Sequence, residues 1–338
     1  MSKKLLYLSV LIPVLLIALA LQIYKVEPFE SFSLSFNDVN FKLQNKTPNP
    51  DIVFVAVDEP SVNEFGRWPF DRDVLAKGIS KLYEADTVLM DMIFSEFTSK
   101  KQDEALAKSL SQLNSSVCGF FLRKKSTQNL TNEDLDVLGD SSLDLLQSQI
   151  AEYTNPSFIH ASAAEINILP ISRACTLNGS FTTLRQNDKL LRSYPVAVYF
   201  ENILYPSLAI QGLRVKFNTD IERNGEAEVK LNKQLIKLDE QGFVRLNFYK
   251  KESYTIVSFL DVVKQKIKPE FFKNKIVILG ITEVGAGDIV STPIGSIPGP
   301  LLHYTFISNF LENHLIFEPK YISNLPIDSC TYSLKFSI

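Results

Sequence analysis

The chain is 338 residues long, 45% hydrophobic and 22% charged, with 13 Gly and 16 Pro, an ordinary globular composition that excludes collagen-like, low-complexity and disordered classes. Its 35 Lys and Arg against 38 Asp and Glu leave a net charge of −3, which argues against nucleic acid as the main partner. Three cysteines (Cys118, Cys175, Cys330) and three scattered histidines (His160, His303, His314) exclude a disulfide-stapled scaffold and a zinc motif.

Residues Leu5 to Tyr24, LLYLSVLIPVLLIALALQIY, carry no charge. As a helix they reach ~30 Å, the thickness of a bilayer core. Lys3 and Lys4 precede the run, and positive residues stay on the cytoplasmic side, so the rest of the chain is expected to face outward. Ala18-Leu19-Ala20 offers the rival reading of a cleaved signal peptide. The length of the run favours an uncleaved anchor, and both readings export the remainder of the chain.

Pro28 to Lys46 reads as a linker with a short amphipathic helix, FESFSLSFNDVNFKL. Ile52 to Val57, IVFVAV, is an unbroken apolar run, as expected of a strand covered on both faces. Asp71 is the expected N-cap of a helix to about Tyr83. TVLMDMIF from Thr87 to Phe94 is the second strand, Asp103 to Leu113 a helix, and Val117 to Leu122 the third strand. This alternation predicts a parallel sheet. Further on, a helix is expected around Leu143 to Tyr153, a strand within Phe158 to Ile168, a strand VAVYF turning at Glu201-Asn202, and ILYPSLAIQGL leading into a helix. EVKLN, QLIKLD and FVRLNFY read as short antiparallel strands, Phe259 to Lys266 as a helix and IVILGI (Ile276 to Ile281) as another buried strand. A loop to Pro300 and a helix from Leu301 to Leu315 complete the reading. The fold class expected is α/β: a mainly parallel sheet flanked by helices, with an inserted antiparallel β region, preceded by one transmembrane helix.

In a parallel sheet the loops beyond the carboxyl ends of strands form the usual binding crevice. Asp58, Glu96, Thr282 and Asp288 fall there, and Asp91 lies within the second strand. Clustered carboxylates suit magnesium or calcium, which makes Asp58, Asp91 and Asp288 candidate metal ligands; helix capping and loop hydrogen bonding explain the same acids more simply. The loop after IVILGI has Gly285 and Gly287 but Val290 where a dinucleotide fingerprint needs its third glycine. FGRWPFDRD offers Arg67, Trp68 and Arg72 to a ligand, or uses Trp68 and Phe70 to staple the loop to the sheet. Cys118, inside VCGFFL, reads as a small packed hydrophobe, with a Cys118–Cys175 bridge left open for an oxidising compartment.

The order DIVFVAVDEPSVNEFGRWPFDRDVLAKGISKL, ADTVLMDMIFSE, YPSLAI, LNFY, SFLDVV, FKNKIVILGITEVGAGDIVSTP and PGPLLHYTFISNFL resembles the CHASE type 2 domain, the second class of cyclase- and histidine-kinase-associated extracellular sensor, over about residues 28 to 318. The resemblance implies an extracytoplasmic α/β sensor that follows one membrane-spanning helix and precedes three more, with a cytoplasmic output module beyond. It brings no catalytic set and no agreed ligand. Its motif positions here are Asp58, Gly66, Trp68, Pro69, Arg72, Asp91, Phe94, Asp288, Pro293, Gly299 and His303. Lys189, Pro300 and Tyr304 depart from the family pattern, and Tyr321 to Ile338 hold no apolar run of spanning length.

The organisation expected is thus residues 1–27 as cytoplasmic start and transmembrane helix or signal peptide, 28–318 as sensor domain and 319–338 as the tail of a truncated product. The function expected is a non-enzymatic, inner-membrane, single-pass bacterial sensor with residues 28–338 in the periplasm or cell exterior. It needs no cofactor, binds a small molecule through Asp58, Arg67, Trp68, Arg72, Glu96, Thr282, Asp288 and His303, and works through a homodimer or a separate output protein. The alternatives are an exported metal-dependent hydrolase using Asp58, Asp91 and Asp288, and a non-functional receptor fragment.

Overall fold

The computed structural model describes residues 3–23, 38–39, 41, 44–125, 128–144, 148, 158–182, 190–225, 227–239, 241–283 and 288–316. The chain divides into two units, Met1–Asn37 with Glu318–Ile338, and Asp38–Phe317. In the first unit, α1 (Lys3–Ile23) is a helix of 21 residues. Its described side chains, from Tyr7 to Ala18, are exposed. Among the described residues no helix is long and apolar enough to cross a membrane, so the run expected to span the bilayer is met here as a helix and no more. The tail 319–338, most of FESFSLSFNDVNFKL and most of the helix expected at Leu143–Tyr153 lie outside the described residues.

The second unit opens with β1 (Ile52–Val57), α2 (Glu59–Phe65), α3 (Arg72–Ile79), β2 (Thr87–Asp91), α4 (Lys100–Ser111), β3 (Ser116–Arg123) and α5 (Asn132–Gly139). It continues through β4 (Ile159–His160), β5 (Ala163–Glu165), α6 (Leu169–Ala174), β6 (Leu177–Ser180), β7 (Ser193–Pro195), β8 (Ala197–Phe200), β9 (Ile203–Pro206) and α7 (Leu208–Phe217). The remainder is β10 (Ile221–Gly225), β11 (Glu228–Leu231), β12 (Gln234–Lys237), β13 (Phe243–Arg245), β14 (Ile256–Ser258), α8 (Phe259–Val263), β15 (Ile276–Ile281), β16 (Ile289–Thr292), β17 (Gly295–Pro298) and α9 (Pro300–Leu311).

The main sheet has the order β14-β1-β15-β2-β3-β5, with β6 also on β3. Every pairing is parallel except the one between β3 and β5. Because side chains alternate along a strand, each apolar run feeds two cores. Ile52, Phe54, Leu89, Ile276 and Ile278 face Leu208, Leu302 and Phe306 of α7 and α9. Val53, Val55, Val88, Met90, Val277 and Leu279 face Leu75, Ile79, Leu106 and Phe259 of α3, α4 and α8. This is why IVFVAV and IVILGI carry no polar position. Helix α9 is buried from Pro300 to Phe310, and its polar side chains are hydrogen-bonded inside: Ser308 to the Tyr249 hydroxyl and Asn309 to the Asn247 carbonyl. Gly280 makes its N-terminus fit, since a Cβ there would lie 2.5 Å from Cγ of Pro300.

Several local expectations change. Asp71 does precede α3, but its side chain makes no capping hydrogen bond and the helix stops at Ile79. Helix α4 starts earlier than expected, at Lys100, because Ser99 accepts from the Gln102 N–H. FVRLNFY leaves the β10-β11-β12 meander and pairs with β7 through β13. The stretch expected as a loop before Pro300 holds the antiparallel hairpin β16-β17, which turns at Gly295 with φ 98°. Cys118 and Cys175 are disulfide-bonded, with Cα atoms 5.9 Å apart, a separation a disulfide accepts. Cys118 is therefore more than a packed hydrophobe.

Candidate functional site

Strand order decides which acids can meet. β1 and β15 are adjacent and parallel, with Val57 beside Ile281, and β15 sets Gly280 beside Asp91 of β2. Asp58, Thr282 and Asp91 therefore stand along one carboxyl edge. Asp91 follows Leu89 by two residues, so it points to the same face of the sheet, the face covered by α9. Helix α9 begins at this edge and presents His303 one turn in.

The two side chains meet: His303 Nε2 lies 3.4 Å from Asp91 Oδ2, with the imidazole only 3% exposed. On the other side of the ring, Nδ1 lies 2.6 Å from the hydroxyl oxygen of Tyr194, just before the end of β7. The same phenol oxygen accepts the Ala209 N–H at 3.1 Å. Burial pushes the Tyr194 pKa up, so the phenol stays protonated and shares one hydrogen bond with Nδ1. Where the phenol O–H is the donor, the ring proton lies on Nε2, aimed at the Asp91 carboxylate. The order Asp91, His303, Tyr194, Ala209 is one continuous polar path from the sheet edge to the first turn of α7.

A cavity of about 240 Å³ opens over Asp91 and His303. Its further lining includes Trp68, Phe121, Phe181 and Asp288. Gly119 makes room for one wall, since a Cβ there would sit 2.2 Å from the Phe181 ring. Phe121 and Phe181 meet edge to face with centroids 4.0 Å apart. Trp68, joined to Pro69 by a cis peptide, packs on Phe70 at 5.3 Å and also faces the cavity. Trp68 thus packs on its own loop and lines the cavity at once.

Of the expected site residues, Trp68, Asp288 and His303 line this cavity together, with Asp91. The others are engaged elsewhere. Asp58 caps α2 by accepting the Ser61 N–H at 3.1 Å, and its carboxylate also takes the Ser61 and Ser258 hydroxyls. Arg72 is 5% exposed, pairs with Asp103, donates to the Glu96 carbonyl and lies over the Phe94 ring. It is a structural cation. Glu96 and Arg67 are exposed at the surface. Thr282 donates its N–H to the Val57 carbonyl at 3.0 Å. Asp58 is thus turned away from Asp91 and Asp288, the other two candidate metal ligands, and among the described residues no group of three His, Cys, Asp or Glu side chains could hold a metal ion.

Tyr194, Phe121 and Phe181 were not singled out by sequence reasoning. Phe121 sits in an apolar run, Phe181 among small and polar residues and Tyr194 behind Arg192 and Ser193, and nothing in their spacing ties them to a histidine more than a hundred residues away. Chemically, the lining offers carboxylates, an imidazole and aromatic faces, but no hydroxyl or thiol side chain among the described residues.

One protein family, the CHASE2 domain, matches residues 12–329. No curated protein matches the chain. No solved structure matches it either.

Proposed function

Given that the chain belongs to the CHASE2 domain family, an extracellular sensor domain family of signalling proteins, we propose that it is a membrane-anchored extracytoplasmic sensor that binds a small molecule in the cavity over Asp91 and His303. One observation carries the reading: Trp68, Asp91, Asp288 and His303, contributed by four separate segments, line one concave site at the carboxyl edge of a parallel sheet. Such an edge is where open α/β sheets bind ligands.

Helix α1 is the proposed anchor. Its side chains from Val10 to Ile12 and Val14 to Ile17 are at least half exposed, and exposed apolar surface of that extent calls for a lipid or protein cover. The single-pass arrangement, with the second unit outside, is inferred from the lysines before the run. The Cys118–Cys175 disulfide supports an oxidising compartment. Signalling would pass to a second copy or to a separate output protein. The reading is non-enzymatic: a ligand shifts the domain between two conformations through its differential affinity for them.

The test is thermal unfolding of the full chain in detergent micelles, with and without small amines, carboxylates and alcohols. A ligand present at a hundred times its Kd stabilises the folded state by about 2.7 kcal/mol. A raised midpoint that Asp91→Asn abolishes supports the reading. A midpoint that no compound moves overturns it.

A further inference from the structure

The lining of the cavity is electrically one-sided. Asp91 and Asp288 bring carboxylates, and among the described residues no Lys or Arg lines the cavity. His303 faces Asp91 with Nε2 at 3.4 Å from Oδ2. Asp288 has no cation partner among the described residues, although its backbone carbonyl accepts the Gly299 N–H at 2.7 Å. The nearby guanidinium of Arg123 is occupied: it lies 3.9 Å over the outer wall ring of Phe121 and pairs with Glu165 at 3.2 Å. Around these two acids stand three aromatic rings, Trp68, Phe121 and Phe181.

Carboxylates with aromatic faces are the chemistry that recognises an organic ammonium. The carboxylates satisfy its charge, and the rings attract the same charge through their quadrupoles. The size sets a limit. At about 240 Å³ the cavity lies just below the range of drug-sized sites, so the ligand is small. A metal ion would leave the rings without a role, and an anion would face two carboxylates. We propose that the ligand class of this site is a small organic cation, an amine with a short apolar or aromatic body. The ammonium sits between Asp91 and Asp288, and the body lies against Phe121, Phe181 and Trp68. This rests on the reading of the cavity as a ligand site.

Calorimetric titration of the full chain in detergent tests it, with three probes of one shape: 2-phenylethylamine, the uncharged 2-phenylethanol and the anionic phenylacetate. The amine is expected to bind at least about tenfold more tightly than the alcohol, and phenylacetate not at all. Asp288→Asn removes an exposed carboxylate, so the variant keeps its melting midpoint while amine affinity falls about tenfold and alcohol affinity stays. Trp68→Leu weakens all binding but the amine most. Equal affinity for amine and alcohol, or a preference for phenylacetate, overturns the cation assignment and leaves the cavity as a ligand site. Silence with all three probes removes both.

Discussion

Nδ1 of His303 is held 2.6 Å from the hydroxyl of Tyr194, and that phenol oxygen also accepts the Ala209 N–H, which Ser207 leaves uncapped at the start of α7. One buried oxygen thus satisfies an orphan helix N–H and holds Nδ1 of the histidine that faces the cavity. Tyr194→Phe removes both functions without changing the ring that stacks on Phe306. Two buried polar atoms lose their partner, so the variant is expected to be about 2–4 kcal/mol less stable. Chemical denaturation measures the loss. A change below about 0.5 kcal/mol would show that the hydroxyl holds nothing in place.

The contrast between Tyr194 and Trp68 shows what the sequence could disclose. Trp68 announced itself as the single tryptophan beside a proline and two arginines. The long strands were equally legible, because burial on both faces leaves IVFVAV and IVILGI without a polar residue. The acids were legible by position, since a carboxyl-edge residue comes after each strand. Their roles were not. Asp58 follows β1 and Asp91 ends β2, two residues short of Asp58 in register, yet Asp58 turns into the Ser61 and Ser258 hydroxyls while Asp91 turns to His303. That choice depends on which helix covers which face, which no spacing within the chain encodes. The β16-β17 hairpin was hidden for another reason. Its inward positions, Val290 and Ile297, are separated by a Gly and Pro content that reads as loop. Arg72 looked available because it comes after a tryptophan loop, but its partner Asp103 comes from α4, a separate helix.

The disulfide makes a second expectation quantitative. Cys118 and Cys175 are 57 residues apart in sequence, and closing a loop of that length restricts the unfolded chain by about 4 kcal/mol in the chain-entropy treatment. Cys118→Ser with Cys175→Ser should lower the unfolding free energy by an amount of that order, as should reductant on the parent chain. Thiol titration of the unreduced, unfolded protein checks the premise. It should count Cys330 alone, and a count of three would remove the bridge.

Alkaline pH tests the buried phenols. Burial pushes Tyr205 up to about 12, with Asp144 and Glu201 adding to the rise, and it pushes Tyr194 and Tyr254 up as well. An unfolded tyrosine loses its proton near 10. Below that pH both states keep the proton and the stabilisation is complete. Above it the unfolded state binds fewer protons than the folded one, so stability falls as pH rises. For Tyr205 the fall is complete near 12 and amounts to roughly 2–3 kcal/mol. Thermal midpoints should stay level to about pH 10 and then drop steeply, with tyrosinate absorbance rising only as the protein unfolds. Tyrosinate appearing for every tyrosine in the folded protein near pH 10 would contradict the burial.

Arg192, two residues before Tyr194, is 1% exposed and holds Asp38 with Nη2 to Oδ2 at 2.7 Å and Nε to both oxygens. Asp38 also supports the neighbouring guanidinium of Arg245, whose pKa burial lowers and Asp38 raises. The two partners are therefore not equivalent. Asp38→Asn takes a carboxylate from the buried Arg192 and the half-buried Arg245 at once, whereas Arg192→Met leaves that carboxylate beside Arg245. Breaking a buried pair from the costly side is expected to lose about 3–5 kcal/mol, so Asp38→Asn should destabilise strongly and Arg192→Met clearly less. Urea midpoints of the two variants decide. The opposite order would mean that Arg245 gains nothing from Asp38, and that Arg192 alone carries the charge balance next to the strand that positions Tyr194.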